Sequence, residues 1–282
     1  MKLFLRLFPL LSLLITTGCD DDHFATPEEA IVTEGWIEVG EHPVVMLTKT
    51  FVISEEKKPI SNLADHMLRW AVVKVSDGQN TEILTGKYDK QYFPPYIYTA
   101  SDMRGVAGKQ YWLEIEYDRF RLTATTTIPE APLIDSVEAV KADDGSSHYT
   151  LQAYFADTTG GKAYYQLFTR TGQSGRQFFA SYRGCLSSRN LLAYNKKPVY
   201  PPHLATENKY APYYHAGDTV FVKLARTDSV SYSFWEAYEK KLAFGSNMML
   251  NYDRNIPCNI EGGLGYWHGY NSSVRRIVIP KE

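Results

Sequence analysis

The residues that could carry chemistry in this sequence are histidines, cysteines and closely spaced carboxylates. The seven histidines are scattered, and His203 and His215 have no partner at metal-ligand spacing. Glu114 and Glu116 point to one face of a predicted strand, a pattern typical of a solvated surface. H-E-x-x-H, G-x-S-x-G, P-loop and C-x-x-C motifs are absent from the sequence. We therefore expect a protein that is not an enzyme, with no metal site, cofactor or catalytic residue.

A glycine-rich segment, residues 259–267, invites comparison with a dinucleotide-binding loop. From Gly263 its spacing reads G-x-G-x-x-x-G, which misses the G-x-G-x-x-G pattern, and no strand followed by a helix surrounds it. Glycine also serves bends and close approaches of the backbone. We interpret the segment as structural, a set of bends that allow Tyr266 and Trp267 to pack.

Cys19 closes an apolar N-terminal leader. Lys2 and Arg6 carry positive charge, and the apolar run to residue 15 is too short for an ordinary bilayer-spanning helix. Residues 16–19 resemble a bacterial lipobox, and the three aspartates that follow resemble a surface-export signal. We expect residues 1–18 to be a lipoprotein signal peptide and Cys19 to carry the lipid. An ordinary signal peptide with a chance cysteine is the alternative.

Charge and the other cysteines set further limits. Lysine and arginine number 30 against 32 acidic residues, so there is no basic excess to hold a phosphate backbone, which argues against nucleic acid as a partner. Cys185 and Cys258 remain after Cys19 is assigned to lipid. An envelope compartment permits a disulfide between them, but the sequence leaves paired and unpaired thiols equally open.

The pattern of apolar residues predicts a mainly all-β protein. Residues 19–30 are polar and read as a tether. From Ile31 onward, short runs of branched and aromatic residues alternate with turn signals, which predicts a β-sandwich over 31–130. Pro129 and Pro132 mark a boundary. Residues 131–282 then form a second β-sandwich-like domain, which carries one amphipathic helix.

That helix is predicted over residues 229–243. Four apolar residues recur at every fourth position, namely Val230, Phe234, Tyr238 and Leu242. Asp228 can cap the start of the helix, and Gly245 can close its end. We expect Phe234 and Tyr238 to be buried against a sheet.

Residues 172–216 form a long, irregular connection between predicted strands. Its aromatic and histidine side chains are candidates for a partner or ligand surface: Tyr200, His203, Tyr210, Tyr213 and Tyr214. Tyrosine offers contact area at low entropic cost, and the neighbouring prolines limit the disorder lost on binding. The alternative is a loop folded over its own sandwich, with its tyrosines covering a sheet edge.

Several segments together resemble one family across nearly all of the mature chain. They are residues 32–37, 71–78, 108–115, 127–129, 155–157, 164–167 and 259–267. In these segments the chain is similar to the DUF4249 family of Bacteroidetes lipoproteins. The resemblance implies a lipoprotein on the outer face of the outer membrane, often encoded beside a TonB-dependent transporter. It brings no catalytic residues.

The leader, the aromatic loop and the resemblance together predict a non-enzymatic surface lipoprotein that assists a TonB-dependent transporter. It would capture an unknown nutrient ligand or dock on the outer loops of the transporter. One alternative is a structural or adhesive β-sandwich protein unconnected with uptake. Another is a surface hydrolase with an unrecognised site, which a pocket containing a perturbed carboxylate or histidine would favour.

Overall fold

A computed structural model describes residues 29–50, 66–142, 146–157, 161–172, 177–203, 210–244 and 256–281. The predicted signal peptide, Cys19, most of the tether and Gly245 lie outside these residues, as does the side chain of Leu242. No helix in the described ranges is long and apolar enough to cross a bilayer.

The described residues form sixteen strands, and in several of them buried positions alternate with more exposed ones. The first half contributes β1 (Ile31–Glu38), β2 (Val44–Lys49), β3 (Val72–Ser76), β4 (Thr81–Ile83), β5 (Thr85–Tyr88), β6 (Tyr96–Thr99), β7 (Gln110–Tyr117) and β8 (Phe120–Thr127). The second half contributes β9 (Ile134–Lys141), β10 (His148–Ala156), β11 (Tyr164–Thr171), β12 (Phe179–Ser187), β13 (Tyr194–Val199), β14 (Tyr214–His215), β15 (Thr219–Thr227) and β16 (Leu264–Val278). The prediction of a mainly all-β fold is confirmed.

The strands form one long sheet and two smaller ones. The long sheet, here called the shared sheet, has the order β12-β11-β15-β16-β1-β2-β6-β5 and takes strands from both halves of the chain. A first cover sheet has the order β4-β3-β7-β8. A second cover sheet pairs β10 with β9, β13 and β14. Two sandwiches therefore lie side by side with one sheet in common.

Strand β16 joins the two sandwiches. Its first part, from Leu264 to Tyr270, pairs in parallel with β1, whereas its second part, from Asn271 to Val278, pairs antiparallel with β15. Each sandwich nevertheless has its own core. One core includes Val73, Leu113 and Trp267, and the other includes Leu151, Leu167 and Val222. The predicted boundary near residue 130 separates the two cores, but it does not divide the shared sheet; the division into two consecutive domains stays a prediction.

The predicted helix spans Ser229–Phe244 and is named α1. The Asp228 carboxylate accepts a 2.7 Å hydrogen bond from the Ser231 backbone N–H, the geometry of an N-cap. The helix covers the face of the shared sheet opposite the two cores, because Phe234 and Trp235 pack there with Tyr266 and Tyr270. Phe234 is buried as predicted, Tyr238 is half-buried, and Val230 is exposed.

Candidate functional site

A cleft of about 530 Å³ opens on the helix-bearing face of the shared sheet, where the two halves of the chain meet. We call it the junction cleft. Strands β1 and β2 provide one side, β11, β15 and β16 the other, and Trp235 of α1 closes one end. Its aromatic residues are Trp36, Tyr92, Phe168, Phe178, Trp235, Tyr266 and Tyr270. Its ionisable residues are Glu38, Glu41, His42, Arg170 and Lys223.

Strand alternation explains why these side chains share one face. In β1, Ile37 points into the first core, so Trp36 and Glu38 point the other way. In β11, Leu167 belongs to the second core, so Phe168 points into the cleft. The side chains that line the cleft are therefore the reverse face of the two sandwich cores.

An ion pair lies on the floor of the cleft. Lys223 Nζ donates to Glu38 Oε2 at 2.9 Å, and their side chains are only 8% and 15% exposed. The Ser272 hydroxyl donates to the other carboxylate oxygen of Glu38. Removing either partner would leave the other charge nearly buried and without its counter-ion, which is costly. The pair therefore helps to hold β1 of the first half against β15 of the second.

The side of the cleft formed by β11, β15 and β16, here called the second-half wall, carries positively charged side chains. Lys223 Nζ lies 4.5 Å from the ring centroid of Phe178, and Arg170 Cζ lies 5.2 Å from the same ring. Arg170 Cζ also lies 4.1 Å from the ring centroid of Phe221. Strand register places exposed Arg276 directly opposite Phe221. Arg170, Phe221 and Arg276 thus form one row across β11, β15 and β16.

The side of the cleft formed by β1, β2 and the connection between β5 and β6, here called the first-half wall, carries aromatic rings and hydrogen-bonding groups. The half-buried rings of Trp36 and Tyr92 lie 6.3 Å apart between centroids. His42 Nδ1 lies 2.8 Å from the Met103 carbonyl oxygen. A carbonyl can only accept, so Nδ1 carries the proton, and in the neutral ring Nε2 is left as an acceptor. Glu41 is exposed beside it.

Gln177 links the two walls. Its side-chain Oε1 accepts from the Phe93 backbone N–H at 2.8 Å, and its Nε2 donates to the Phe93 carbonyl at 3.5 Å. Phe93 lies next to Tyr92 in the connection between β5 and β6. The two halves therefore touch across the cleft as well as through β16.

A buried histidine and a carboxyl group of raised pKa lie near α1, outside the lining of the junction cleft. Burial lowers the pKa of His268 to about 3, so the ring is neutral. The ring lies 2.9 Å from the Tyr270 hydroxyl, which accepts a hydrogen bond from Trp235. Burial raises the pKa of Glu239 to about 7, and its carboxylate accepts from the Cys185 backbone N–H. Both groups are engaged in packing α1 onto the sheet.

The glycine-rich segment threads between the two sheets of the first sandwich. A Cβ on Gly262 would meet the Arg121 carbonyl, and one on Gly265 would meet the Thr33 carbonyl. Asn259 holds the far end of the turn: its Oδ1 accepts from the Trp267 backbone N–H at 2.9 Å, and its Nδ2 donates to the Trp267 carbonyl at 2.7 Å. The structural interpretation of this segment is confirmed.

Trp267, the residue that this turn positions, fills the first core. Its indole Nε1 donates to the Tyr111 carbonyl at 3.3 Å, and it stands opposite Gly35 of β1. A side chain on Gly35 would contact the Trp267 ring, so the glycine makes room for it.

The sequence model of one family, described as Domain of unknown function (DUF4249), matches residues 17–276. The chain belongs to the DUF4249 family. A search of curated proteins found no match.

The prediction that residues 172–216 form one irregular connection is wrong, because β12, β13 and β14 lie within them. In this DUF4249 chain the irregular part is shorter, and its described residues, 200–203 and 210–213, pack on their own sandwich. The Ser181 hydroxyl donates to the Tyr200 carbonyl at 2.8 Å, and the Tyr210 hydroxyl donates to the Pro201 carbonyl at 3.0 Å. The His203 ring lies 4.5 Å from that of Tyr210. These contacts hold the loop against β12.

The end of the loop divides neighbouring tyrosines between surface and core. Tyr213 is half-buried and stacks on His148 with 3.5 Å between ring centroids. Tyr214 is only 2% exposed and belongs to the second core, because its partner in β14 pairing is the buried Tyr149. The prediction that Tyr214 lies on a recognition surface is therefore wrong. For the other four residues of that predicted surface, a binding role stays a prediction.

Cys185 and Cys258 are free thiols in this structure. Cys185 lies on β12 beneath α1, where its Sγ is 3.6 Å from the Tyr232 carbonyl and burial raises the pKa of the thiol. Cys258 is exposed, next to Asn259, which reaches β8 of the first sandwich. The two thiols therefore belong to different parts of the fold, and the disulfide left open by the sequence is not formed.

The junction cleft is the feature that sequence reasoning missed. In the part of the chain that the structure describes, no group of three or more His, Cys, Asp or Glu side chains could hold a metal ion. The cleft instead offers rings, cations and hydrogen-bonding groups, which suit binding. One local signal pointed to it: Lys223 interrupts an otherwise apolar run in β15, and a lysine there needs a partner.

Proposed function

We propose that this DUF4249 member is a non-enzymatic lipoprotein on the outer face of the outer membrane, where it captures a nutrient ligand for a TonB-dependent transporter. The observation that carries the proposal is the junction cleft. Its volume lies in the range of small-molecule sites, about 300–1,000 Å³. Of its sixteen lining residues seven are aromatic, three are valines and six are polar or charged.

The position of the cleft also supports a binding role. Ligand sites are frequent where two domains or halves of a protein meet, because each contributes a wall. Here the walls are tied by β16, the Lys223–Glu38 pair and the Gln177–Phe93 hydrogen bonds. Such ties hold the lining residues in place before a ligand arrives, which reduces the entropic cost of binding.

The leader and the resemblance support the location. A signal peptide ending at residue 18 would leave Cys19 to carry lipid, and more than one acyl chain gives stable membrane residence. The intact mass of protein extracted from membranes tests this step. We expect a mass increase that fits a lipid adduct, and Cys19→Ala should release or mislocalise the protein. An unmodified Cys19 on a soluble wild-type protein would refute the anchor.

Association with the transporter is tested by purifying the native protein from detergent-solubilised outer membrane. We expect a TonB-dependent transporter to co-purify, and Trp36→Ala together with Phe178→Ala to reduce ligand uptake without lowering the amount of protein at the surface. Val72→Ala is the matched control, because Val72 is exposed on the first cover sheet. Normal uptake by the double variant would refute the junction cleft as the capture site. Adhesion lost with uptake unchanged would favour the structural or adhesive alternative.

A further inference from the structure

We infer that the junction cleft binds an uncharged amphipathic ligand, with an apolar body and a neutral group that both donates and accepts a hydrogen bond, as a carboxamide does. The inference rests on the proposed function and names the chemical class of the captured ligand. It is carried by the polar groups of the cleft. They divide into charged groups, which balance one another, and neutral groups, two of which have no partner among the described residues.

The charged side chains of the cleft offer little to a charged ligand. Two acids and two cations line it, namely Glu38, Glu41, Arg170 and Lys223. Glu38 and Lys223 pair with each other at 2.9 Å. Arg170 lies over two aromatic rings and has a further interaction within the protein. Glu41 is exposed, so its carboxylate is hydrated, and an ion pair with it would contribute little.

Two uncharged polar groups on the first-half wall have no partner among the described residues, the indole N–H of Trp36 and Nε2 of His42. His42 Nδ1 is bonded to the Met103 carbonyl, so Nε2 accepts in the neutral ring. Both side chains are half-buried, and neither atom is sealed from solvent. The Gln177 amide, by contrast, is bonded to Phe93 through both of its polar atoms. One donor and one acceptor therefore remain for a ligand on the same wall.

A neutral group that both donates and accepts matches this pair. The carbonyl oxygen of a carboxamide would accept from Trp36 Nε1, and its N–H would donate to His42 Nε2. A carboxylate has no donor and an ammonium group has no acceptor, so either ion would leave one of the two protein groups without a partner. Covering an unmatched polar group costs its hydration. An ion would in addition lose its own hydration without gaining a counter-ion.

The apolar surface of the cleft suits the body of such a ligand. The rings of Trp36 and Tyr92 are half-buried, so part of each still meets water. Val39 and Val274, which also line the cleft, are 39% and 41% exposed. An apolar body placed against these side chains would remove their surface and its own from water. A short neutral molecule without that body would leave this surface hydrated.

The test is calorimetric titration of the purified full-length protein against a matched micelle blank, at about pH 8, where an imidazole is neutral. The reference probe is 3-phenylpropionamide. Its charged analogues are 3-phenylpropionate and 3-phenylpropylammonium, and propionamide lacks the ring. We expect 3-phenylpropionamide to bind about 10-fold or more tightly than each of the other three. Each ion leaves one protein group unmatched, and propionamide leaves the apolar surface in water.

Two variants remove the hydrogen-bonding groups while keeping a ring at each position. Trp36→Phe and His42→Phe should each weaken 3-phenylpropionamide by about 3–10-fold. N,N-dimethyl-3-phenylpropionamide cannot donate, so His42→Phe, unlike Trp36→Phe, should abolish the difference in affinity between it and the reference probe. Trp112→Phe and His215→Phe are the matched controls, because both side chains are exposed on strands outside the cleft, β7 and β14. Melting temperatures establish that each variant is folded.

Each outcome decides the question. Equal binding of 3-phenylpropionamide and either ion, or an unchanged affinity in both Trp36→Phe and His42→Phe, would overturn the inference while leaving the cleft as a ligand site. Propionamide that binds as tightly as 3-phenylpropionamide would overturn it too, because the apolar body would then contribute nothing. If no probe binds, the inference is wrong. The proposed function is decided separately, by uptake in the double variant of Trp36 and Phe178.

Discussion

Lys223 and Glu38 form an ion pair with 2.9 Å between Nζ and Oε2, although they lie 185 positions apart in the chain. Lys223 belongs to β15 of the second half and Glu38 ends β1 of the first, with β16 between the two strands. The pair therefore closes the shared sheet across its centre. It also places one cation and one anion, neutralising each other, on the floor of the cleft.

Breaking this ion pair should destabilise the protein. Glu38→Gln leaves the nearly buried Lys223 ammonium without its counter-ion, so the free energy of unfolding should fall by about 2–4 kcal/mol. Urea unfolding measures the loss. Glu38→Gln with Lys223→Met should recover most of it, because no charge is then stranded. Lys49→Ala, which breaks an exposed pair with Glu29, should cost no more than about 1 kcal/mol.

The glycine turn offers a second stability test, with a control of the same backbone conformation. Gly265 has φ +104°, and a Cβ there would collide with the Thr33 backbone of β1. Gly265→Ala should therefore cost more than about 3 kcal/mol or prevent folding. Gly108 has φ +75° with open space around it. Gly108→Ala should therefore lower the free energy of unfolding only by the cost of a left-handed backbone conformation at alanine, about 1–2 kcal/mol. Equal losses would show that the collision is relieved by a backbone shift.

Glu239 should make stability depend on pH. Its pKa is raised from 4.5 to about 7 by burial, so the folded state binds this proton more tightly than the unfolded state. Stability from this group is present below about pH 4.5 and is lost as pH rises through 7, by up to about 3 kcal/mol. The difference in unfolding free energy between wild type and Glu239→Gln, measured from pH 4 to 8, should follow that decline.

Glu236→Gln is the control for this titration. Glu236 lies on the same helix, where the Lys240 ammonium lowers the pKa of its carboxyl. Glu236→Gln should therefore retain the decline between pH 4.5 and 7 that Glu239→Gln removes. A flat difference curve for Glu239→Gln would mean that its carboxylate is solvated in the folded protein.

Helix α1 should prove chiefly structural. Phe234 is 3% exposed and packs with Trp235 and Tyr266, so Phe234→Ala should cost about 3–5 kcal/mol, as for other buried aromatic residues. Val230, on the same helix, is 41% exposed, and Val230→Ala should stay within about 0.5 kcal/mol of wild type. Thermal unfolding measures both. An unchanged melting temperature for Phe234→Ala would place this face at a partner interface.

Substitution by serine should lower the free energy of unfolding by different amounts at the adjacent residues Tyr213 and Tyr214. Tyr214→Ser empties part of the second core and should cost about 3–5 kcal/mol. Tyr213→Ser removes a ring stacked on His148 near the surface, and should cost about 1 kcal/mol. If the loop recognises a partner, Tyr213→Ser combined with Tyr200→Ser should weaken transporter pull-down while the melting temperature changes little. Similar losses of stability at 213 and 214 would contradict the inward orientation of Tyr214.

The sequence by itself determined the features that depend on neighbouring residues. The helix from Ser229 could be predicted because its apolar spacing and its Asp228 cap lie within one short window. The strand face of Glu114 and Glu116 followed from alternation alone, and both carboxylates pair with Lys74 on the outer face of the first cover sheet. The structural role of the glycine segment also followed from local spacing.

Only the tertiary structure decided how distant strands meet. Nothing near Ile31 or near Leu264 specifies that β1 and β16 pair in parallel, because register depends on two whole sheets packing together. That pairing brings Glu38 to Lys223 and creates the junction cleft. Tyr214 is a smaller case of the same kind: a two-residue strand has no period of its own, so its pairing with β10 decided which neighbouring tyrosine entered the core.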